Sequence, residues 1–223
     1  MKEKCCLLYA FTATIVFLIN ACVAVPTPQY ENNDYPVFRE IRPRSILVMP
    51  PINLSPDINA ATTFLATSTV PLAEAGYYVI PVTLSSETFR QNGFTVAEEA
   101  WYIPFDRLYE IFGADAALYI TVTRFGTIYV LLDSIVEAAA SAKLIDLKTG
   151  LELWSGRASV SSGSSAGSTS LLEALIGAAI SQMVNSLTDE SFKAGRQANY
   201  EMLSAGRKDS ILYGPYHPNW GIE

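Results

Sequence analysis

Cysteine is absent after position 22, so the rest of the chain can close neither a disulfide nor a cysteine-ligated zinc site. Stability there must come from packing. Histidine is nearly as scarce: His217 is the single one, close to the C-terminal end. A Ser-His-Asp triad or a multi-histidine metal site would have to be built around it, and no nucleophile motif accompanies it. Lysine and arginine form no cluster, and 15 basic against 22 acidic residues give a net charge of −7. That balance lacks the basic patch of a nucleic-acid binder. The serine- and glycine-rich stretch Ser161 to Ser170 lacks the Gly-Lys-Ser ending that would grip a nucleotide phosphate. After residue 22 no apolar run approaches the roughly 20 residues that cross a bilayer.

What is present begins with a basic start, Lys2 and Lys4, then an apolar stretch of 15 residues from Cys5 to Ile19, and the small Ala21 just before Cys22. This pattern is the signal of bacterial lipoproteins: residues 1–21 are expected to be a removed signal peptide, and Cys22 the lipidated first residue of the mature chain. Taking Lys2, Glu3 and Lys4 from the totals of 15 basic and 22 acidic residues leaves a mature net charge of −8. Val23 stands where the lipoprotein class carries Asp for retention in the inner membrane. The expected place is therefore the outer membrane of a Gram-negative bacterium, lipid-anchored and facing the periplasm. Several acyl chains give a stable anchor.

Residues 22–43 carry Pro26, Pro28, Pro36 and Pro43 among polar residues without apolar periodicity, and are expected to form an extended tether. Residues 44–206 read as one α/β (α+β) domain with a mixed sheet of about five strands, a β-α-β unit followed by an antiparallel meander, covered by helices. Ser45 to Met49 is a buried first strand stopped by Pro50-Pro51. Asn59 is placed to cap a helix to Ala75, with Phe64, Leu65, Leu72 and Ala75 on its inner face, Gly76 at its end and a kink or break at Pro71. Tyr77 to Val82 is the second strand, parallel to the first by a right-handed crossover. Short helices follow over Ser85 to Asn92 and Phe105 to Phe112, the latter turning Leu108, Ile111 and Phe112 inward.

Beyond Asp115 the period changes to two. Leu118, Ile120 and Val122 alternate with Tyr119, Thr121 and Thr123, as in a strand with one buried face. Val136, Ala138, Ala140, Ala142 and Leu144 form the next apolar row, small enough to admit a helix or another chain closely. Asp146 to Gly150 supplies the turn before a strand containing Trp154. Ser161 to Ser170 reads as a loop. Leu171, Leu172, Leu175, Ile176, Ile180, Met183, Val184 and Leu187 recur at helical spacing, a stripe wide enough to cover the sheet and also meet a partner. The tail, 207–223, is aromatic and proline-rich and is expected to be extended and docked on the domain.

Candidates for chemistry are few. Glu98, Glu99 and Asp106 are carboxylates that a glycoside hydrolase would pair, but acidic residues at helix starts ordinarily favour the helix dipole. Arg124 has Asp133 and Glu137 as candidate partners. His217 is expected to pack on Tyr216 or stand in water. No catalytic residue, cofactor or metal is assigned. Cys22, as the lipidation site, is the one site residue.

Six ordered words carry a resemblance: Ser45-Ile46-Leu47-Val48-Met49-Pro50-Pro51-Ile52-Asn53; Pro71 through Val79; Glu87 through Gly93; Leu108 through Ala116; Lys143 through Gly150 with Leu153-Trp154-Ser155-Gly156; and Tyr213 through Pro218. Over Arg44 to Pro218 the chain resembles the bacterial lipoprotein family of unknown function known from a genome-derived meningococcal antigen. The Gly113-Ala114-Asp115 word and the hairpin after it also resemble the periplasmic domains of the curli secretion lipoprotein CsgG and the N-terminal domain of TolB. The resemblance implies a mixed sheet with packed helices and a role in envelope assembly or transport, and it brings no catalytic residues.

Three functions are open at this point. The preferred one is a non-enzymatic accessory or scaffold in envelope transport, secretion or surface assembly, with an envelope protein or a second copy as partner. The second is a module for a small apolar, lipid or glycan ligand near Tyr119, Tyr129 and the aromatic tail. The third is a hydrolase acting through Asp106 or Glu110.

Overall fold

The computed structural model describes residues 35–130, 133–163, 185–207 and 209–222. Its elements are α1 (Pro36–Ile41), β1 (Ser45–Val48), β2 (Ile52–Asn53), α2 (Ala60–Glu74), β3 (Tyr78–Val79), α3 (Val82–Gln91), α4 (Ala97–Ala100), α5 (Phe105–Phe112), β4 (Ala116–Val130), β5 (Asp133–Asp146), β6 (Glu152–Gly163) and α6 (Asn185–Leu203). They form one mixed sheet in the order β3-β1-β4-β5-β6, with β2 also paired to β4. β1 lies parallel to β3 and β4, with Ile46 opposite Val79 and Ala116, while β4, β5 and β6 are antiparallel. The β-α-β unit and the meander are thus both present.

The sheet has a core on each face. Ile46, Val48, Leu118, Ile120, Val122, Val136, Ala138, Ala140, Ala142, Leu144 and Trp154 point to the side of α2 and α6. Leu47, Met49, Ala117 and Tyr119 point to the other side, onto Phe89, Ala100 and Leu108 from α3 to α5. The first half of β4 is therefore buried on both faces, and the reading of one buried face is corrected for it. Alternation still sorts the residues; the second layer of helices is what buries Tyr119. Small residues meet across the α6 face, where the alanine row of β5 faces Ala194 and Ala198. A Cβ on Gly195 would come within 2.8 Å of the Phe125 ring and 2.9 Å of Thr63.

Several local expectations change. Within the stretch expected to be an extended tether, Pro36–Ile41 is helical, with Pro36 in the first turn and Phe38 buried. The first strand stops before the prolines, but the chain resumes pairing at β2, where Ile52 and Asn53 align with Thr121 and Val122. Asn59 sits at the start of α2 without a capping bond; its own N–H donates to Asp57 Oδ1 at 2.8 Å. Pro71 does not divide α2. One turn before the proline the Asn199 side-chain amide ties α2 to α6, donating to Phe64 O and Thr67 Oγ1.

The second strand shortens to Tyr78–Val79 and the helix after it starts at Val82, earlier than periodicity indicated. In α5, Leu108 is buried but Ile111 is exposed. Ser161 to Gly163, expected in a loop, extend β6 in register with β5. Most of the apolar stripe from Leu171 lies outside the described residues; α6 from Asn185 carries helix on to Leu203.

The tail docks. Gly214 N–H donates to Ala75 O at 2.7 Å, Tyr216 N–H to Gly76 O at 3.0 Å and Tyr77 Oη to Leu212 O at 2.5 Å. Gly76 has a φ of +92°, and a Cβ there would stand 2.5 Å from His217 N, so the helix stop and the tail fit each other only through glycine.

Candidate functional site

The helical layer α3 to α5 holds an open groove of about 370 Å³. Its polar lining includes Asn92, Glu99 and Arg107; Phe89, Phe112 and Ile103 supply apolar lining, flanked by Tyr102 and Ile111. The local sequence explains how it arises. Phe89 is buried on the inner side of α3, which stops at Asn92-Gly93, and its ring meets Phe112 of α5 at 5.1 Å. Trp101 fixes the connection between α4 and α5 by donating from Nε1 to Pro50 O at 2.8 Å and by setting its ring edge-on to Tyr119 at 5.0 Å. The groove is left between these fixed points. Tyr102, 88% exposed, and Ile111, 56% exposed, stand beside it in water.

Charge around the groove is acidic. Between Val82 and Phe112 there are five acidic residues and two arginines. Arg90 donates to Glu87 and holds that carboxyl far below the usual range, at about 2, with help from Gln91. Arg107 is raised by its bond to Glu110, at 2.7 Å. Both arginines are thus partnered on exposed ground, where such pairs contribute little stability. The acidic surplus falls on Glu98, Glu99 and Asp106.

A second polar cluster joins three strands at one end of the sheet. Asp115 Oδ2 accepts from Arg44 N, Ser45 N and Ser45 Oγ, and Oδ1 accepts from Lys148 Nζ at 3.3 Å. Burial pushes the Asp115 carboxyl up, but the Arg44 N–H, Lys148 and Ser45 pull harder and the net shift is downward. In the neighbouring turn Asp146 Oδ2 accepts from Thr149 N and Oγ1. These carboxylates are occupied in fastening strand ends. On the groove side of the sheet the Tyr119 hydroxyl is buried without a partner among the described residues, and burial pushes it up to about 12.

The sequence candidates are scattered. Cys22 lies outside the described residues. Glu98 and Glu99 occupy the first turn of α4 and Asp106 that of α5, the positions the helix-dipole reading gave them. His217 stacks on Tyr213, not Tyr216, with ring centroids 4.0 Å apart, and its Nδ1 accepts from Asn219 N. Arg124 pairs with Glu137 at 3.6 Å and reaches Ser159 Oγ. Tyr119 and the tail do not share a site: Tyr119 packs beneath α4, whereas Ile211 and Leu212 join the core on the opposite face. The side chain of Tyr129 lies outside the described residues. Among the described residues no group of three or more metal-ligating side chains occurs. Sequence reasoning did not find the groove. Helical periodicity had turned Ile111 inward, whereas it is exposed beside the groove, and no local pattern marked Tyr102.

Fold and site together define a small α/β domain with chemistry spent on fastening its own ends and with an open apolar groove in its helical layer. The chain belongs to the GNA1162-like lipoprotein family: the family model described as "Putative lipoprotein GNA1162-like" matches residues 33–216. It is 45% identical over 200 residues to a lipoprotein of Neisseria meningitidis serogroup B, covering 90% of this chain and 92% of that one. The crystal structure of lipoprotein GNA1162 from Neisseria meningitidis shares the fold, with a TM-score of 0.53 and 48% identity over 64% of this chain and 99% of that chain. The C-terminal domain of LpoB from Escherichia coli is a more distant likeness, 17% identical with a TM-score of 0.38 over 57% of this chain and 95% of that one. The function of the family is not known.

Proposed function

We propose that this chain is an outer-membrane lipoprotein, acylated on Cys22 after loss of residues 1–21, that faces the periplasm and serves as a non-enzymatic accessory or scaffold in envelope transport, secretion or surface assembly. The observation that carries this reading is the groove between α3 and α5, where Tyr102 and Ile111 stand exposed beside an apolar hollow. Large exposed apolar side chains grouped around a cleft are characteristic of contact surfaces. The partner is an envelope protein, with a second copy of the chain as the other candidate. Site-specific crosslinking in living cells tests the proposal: crosslinkers at Tyr102 and Ile111 are expected to trap the same defined protein, and one at Arg157 on the polar sheet face is not. Ile111→Asp should abolish the adduct while the protein stays folded and abundant. Adducts at Arg157 equal to those at the groove would refute it.

The volume of the groove also supports the second reading, a small apolar ligand, because about 370 Å³ lies in the range of small-molecule sites. Extraction of the purified protein with organic solvent should then release a stoichiometric lipid or aromatic compound; a clean extract excludes it.

A further inference from the structure

We propose that the end of the domain formed by α1 and the C-terminal tail rests on the anionic lipid surface of the membrane that anchors the chain; this inference rests on the acylation of Cys22 proposed above. Three features converge there. The first is the path of the chain. Tyr35, the first described residue, is 13 residues beyond Cys22, so the connection reaches at most about 43 Å. The end marked by α1 is the one tied to the lipid, and a tether of that length permits contact as readily as stand-off.

The second feature is charge. Between Tyr35 and Arg44 there are three arginines, Arg39, Arg42 and Arg44, and one acidic residue, Glu40; with Glu31 and Asp34 just before them, and Arg207, Lys208, Asp209 and Glu223 in the tail, this end is close to neutral on a chain that carries −8 without residues 1–21. The carboxylates in the adjoining cleft are engaged within the domain: Asp115 is bonded to Lys148 and to backbone N–H groups, and Asp146 to Thr149. An end that presents Arg39, Arg42 and Arg44 and is close to neutral on an otherwise acidic protein is repelled least by an anionic surface, so charge favours this end facing the lipid.

The third feature is the aromatic character of the same end. The Arg42 guanidinium lies 5.3 Å from the centre of the Trp220 ring, and Phe38, Arg39, Arg42, Tyr77, Tyr213 and Trp220 line one hollow. Trp220 is 43% exposed, and Tyr216 and Ile222 of the same tail are exposed too. Trp and Tyr beside Arg are the combination that settles at the level of lipid headgroups, where a ring meets the acyl boundary and a cation meets phosphate. The helix C-terminus holds the cation in place: Arg42 N–H donates to Phe38 O at 2.9 Å and Arg42 Nε to Arg39 O at 2.7 Å. A tail that buries Ile211 yet presents Trp220 and Ile222 to water has a surface to place somewhere, and the anchoring bilayer is within reach.

The test uses the acylated full chain reconstituted into vesicles of phosphatidylethanolamine and phosphatidylglycerol, part of the lipid carrying brominated acyl chains that quench tryptophan on contact. Trp220 is expected to be quenched, and Trp220→Phe to remove the quenchable fraction, since Trp154 is buried and Trp101, on the opposite face of the sheet, is held against Pro50 and Tyr119. Arg42→Glu, and separately a rise in salt, should lower the quenched fraction roughly fivefold or more. In vesicles of phosphatidylcholine alone the quenching should fall to a similar extent. Quenching that survives Trp220→Phe, or that is equal in neutral and anionic vesicles, overturns the inference while leaving the anchor intact. Failure of the chain to float with the vesicles overturns both.

Discussion

Substitution Gly214→Ala tests how the tail is fastened. The added methyl would overlap the Gly76 carbonyl oxygen and stand 2.6 Å from the Gly76 carbonyl carbon and 2.9 Å from the Tyr77 ring. The nearest clash is with backbone, so no rotamer change relieves it. Either both segments shift, at the roughly 1–3 kcal/mol typical of overpacking, or the tail lets go. Release forfeits the three hydrogen bonds at Ala75, Gly76 and Leu212, about 1 kcal/mol each. It also exposes Ile211, which is fully buried, at about 2 kcal/mol. The restricted unfolded chain returns about 0.5 kcal/mol. The cheaper route sets the expected loss at about 0.5–2.5 kcal/mol, with full release, at about 4.5 kcal/mol, as the ceiling, read from the urea midpoint at unchanged slope. Faster amide exchange at Gly214 and Tyr216 should accompany it. Tyr216→Ala, on the same tail but exposed, should change stability by less than about 0.5 kcal/mol. A Gly214→Ala variant as stable as the parent, with unchanged exchange, would refute the close-approach argument.

Two further outcomes follow from the polar contacts. Asp115 is held below its ordinary value of 3.8 in the folded state, so its contribution is complete above that value and fades as pH falls through the lower folded one. The stability gap between parent and Asp115→Asn, measured by denaturant titration, should be constant from pH 7 to 5 and narrow on further acidification; a gap that widens in acid contradicts the assignment. Asn199→Ala removes the side-chain amide that reaches Phe64 O and Thr67 Oγ1 across the α2–α6 contact, and should cost about 1–3 kcal/mol. Because that amide ties α2 to α6 at Phe64 and Thr67, exchange should quicken first at Phe64 to Ser68, and uniform destabilisation would argue against the bracing role.

Local patterns were legible where one force acted alone. The two-residue period of Leu118 to Val122 and the alanine row of β5 were read correctly, because alternate residues of a strand face opposite sides whatever covers them. The Asp146 to Gly150 turn and the stop of α5 at Gly113 were likewise local. The chain failed to announce α1, since Phe38 gains its core position only by meeting residues far away in sequence, and a short helix has little intrinsic stability. It hid the exposure of Ile111, because an apolar residue on an amphipathic helix reads as inward until its neighbours are placed. The groove was invisible for the same reason.

The sequence by itself determined the apolar run before Cys22, the acidic balance, the scarcity of histidine, and the alternation that builds one mixed sheet. Those are properties of neighbours along the chain. Tertiary structure alone decided that β4 is buried on both faces, that Pro71 sits in an unbroken helix, that the tail meets Gly76, and that Arg42 stands over Trp220. Each depends on groups more than a hundred positions apart or on a second layer of helices, and burial is a property of what packs from outside, which no local periodicity contains.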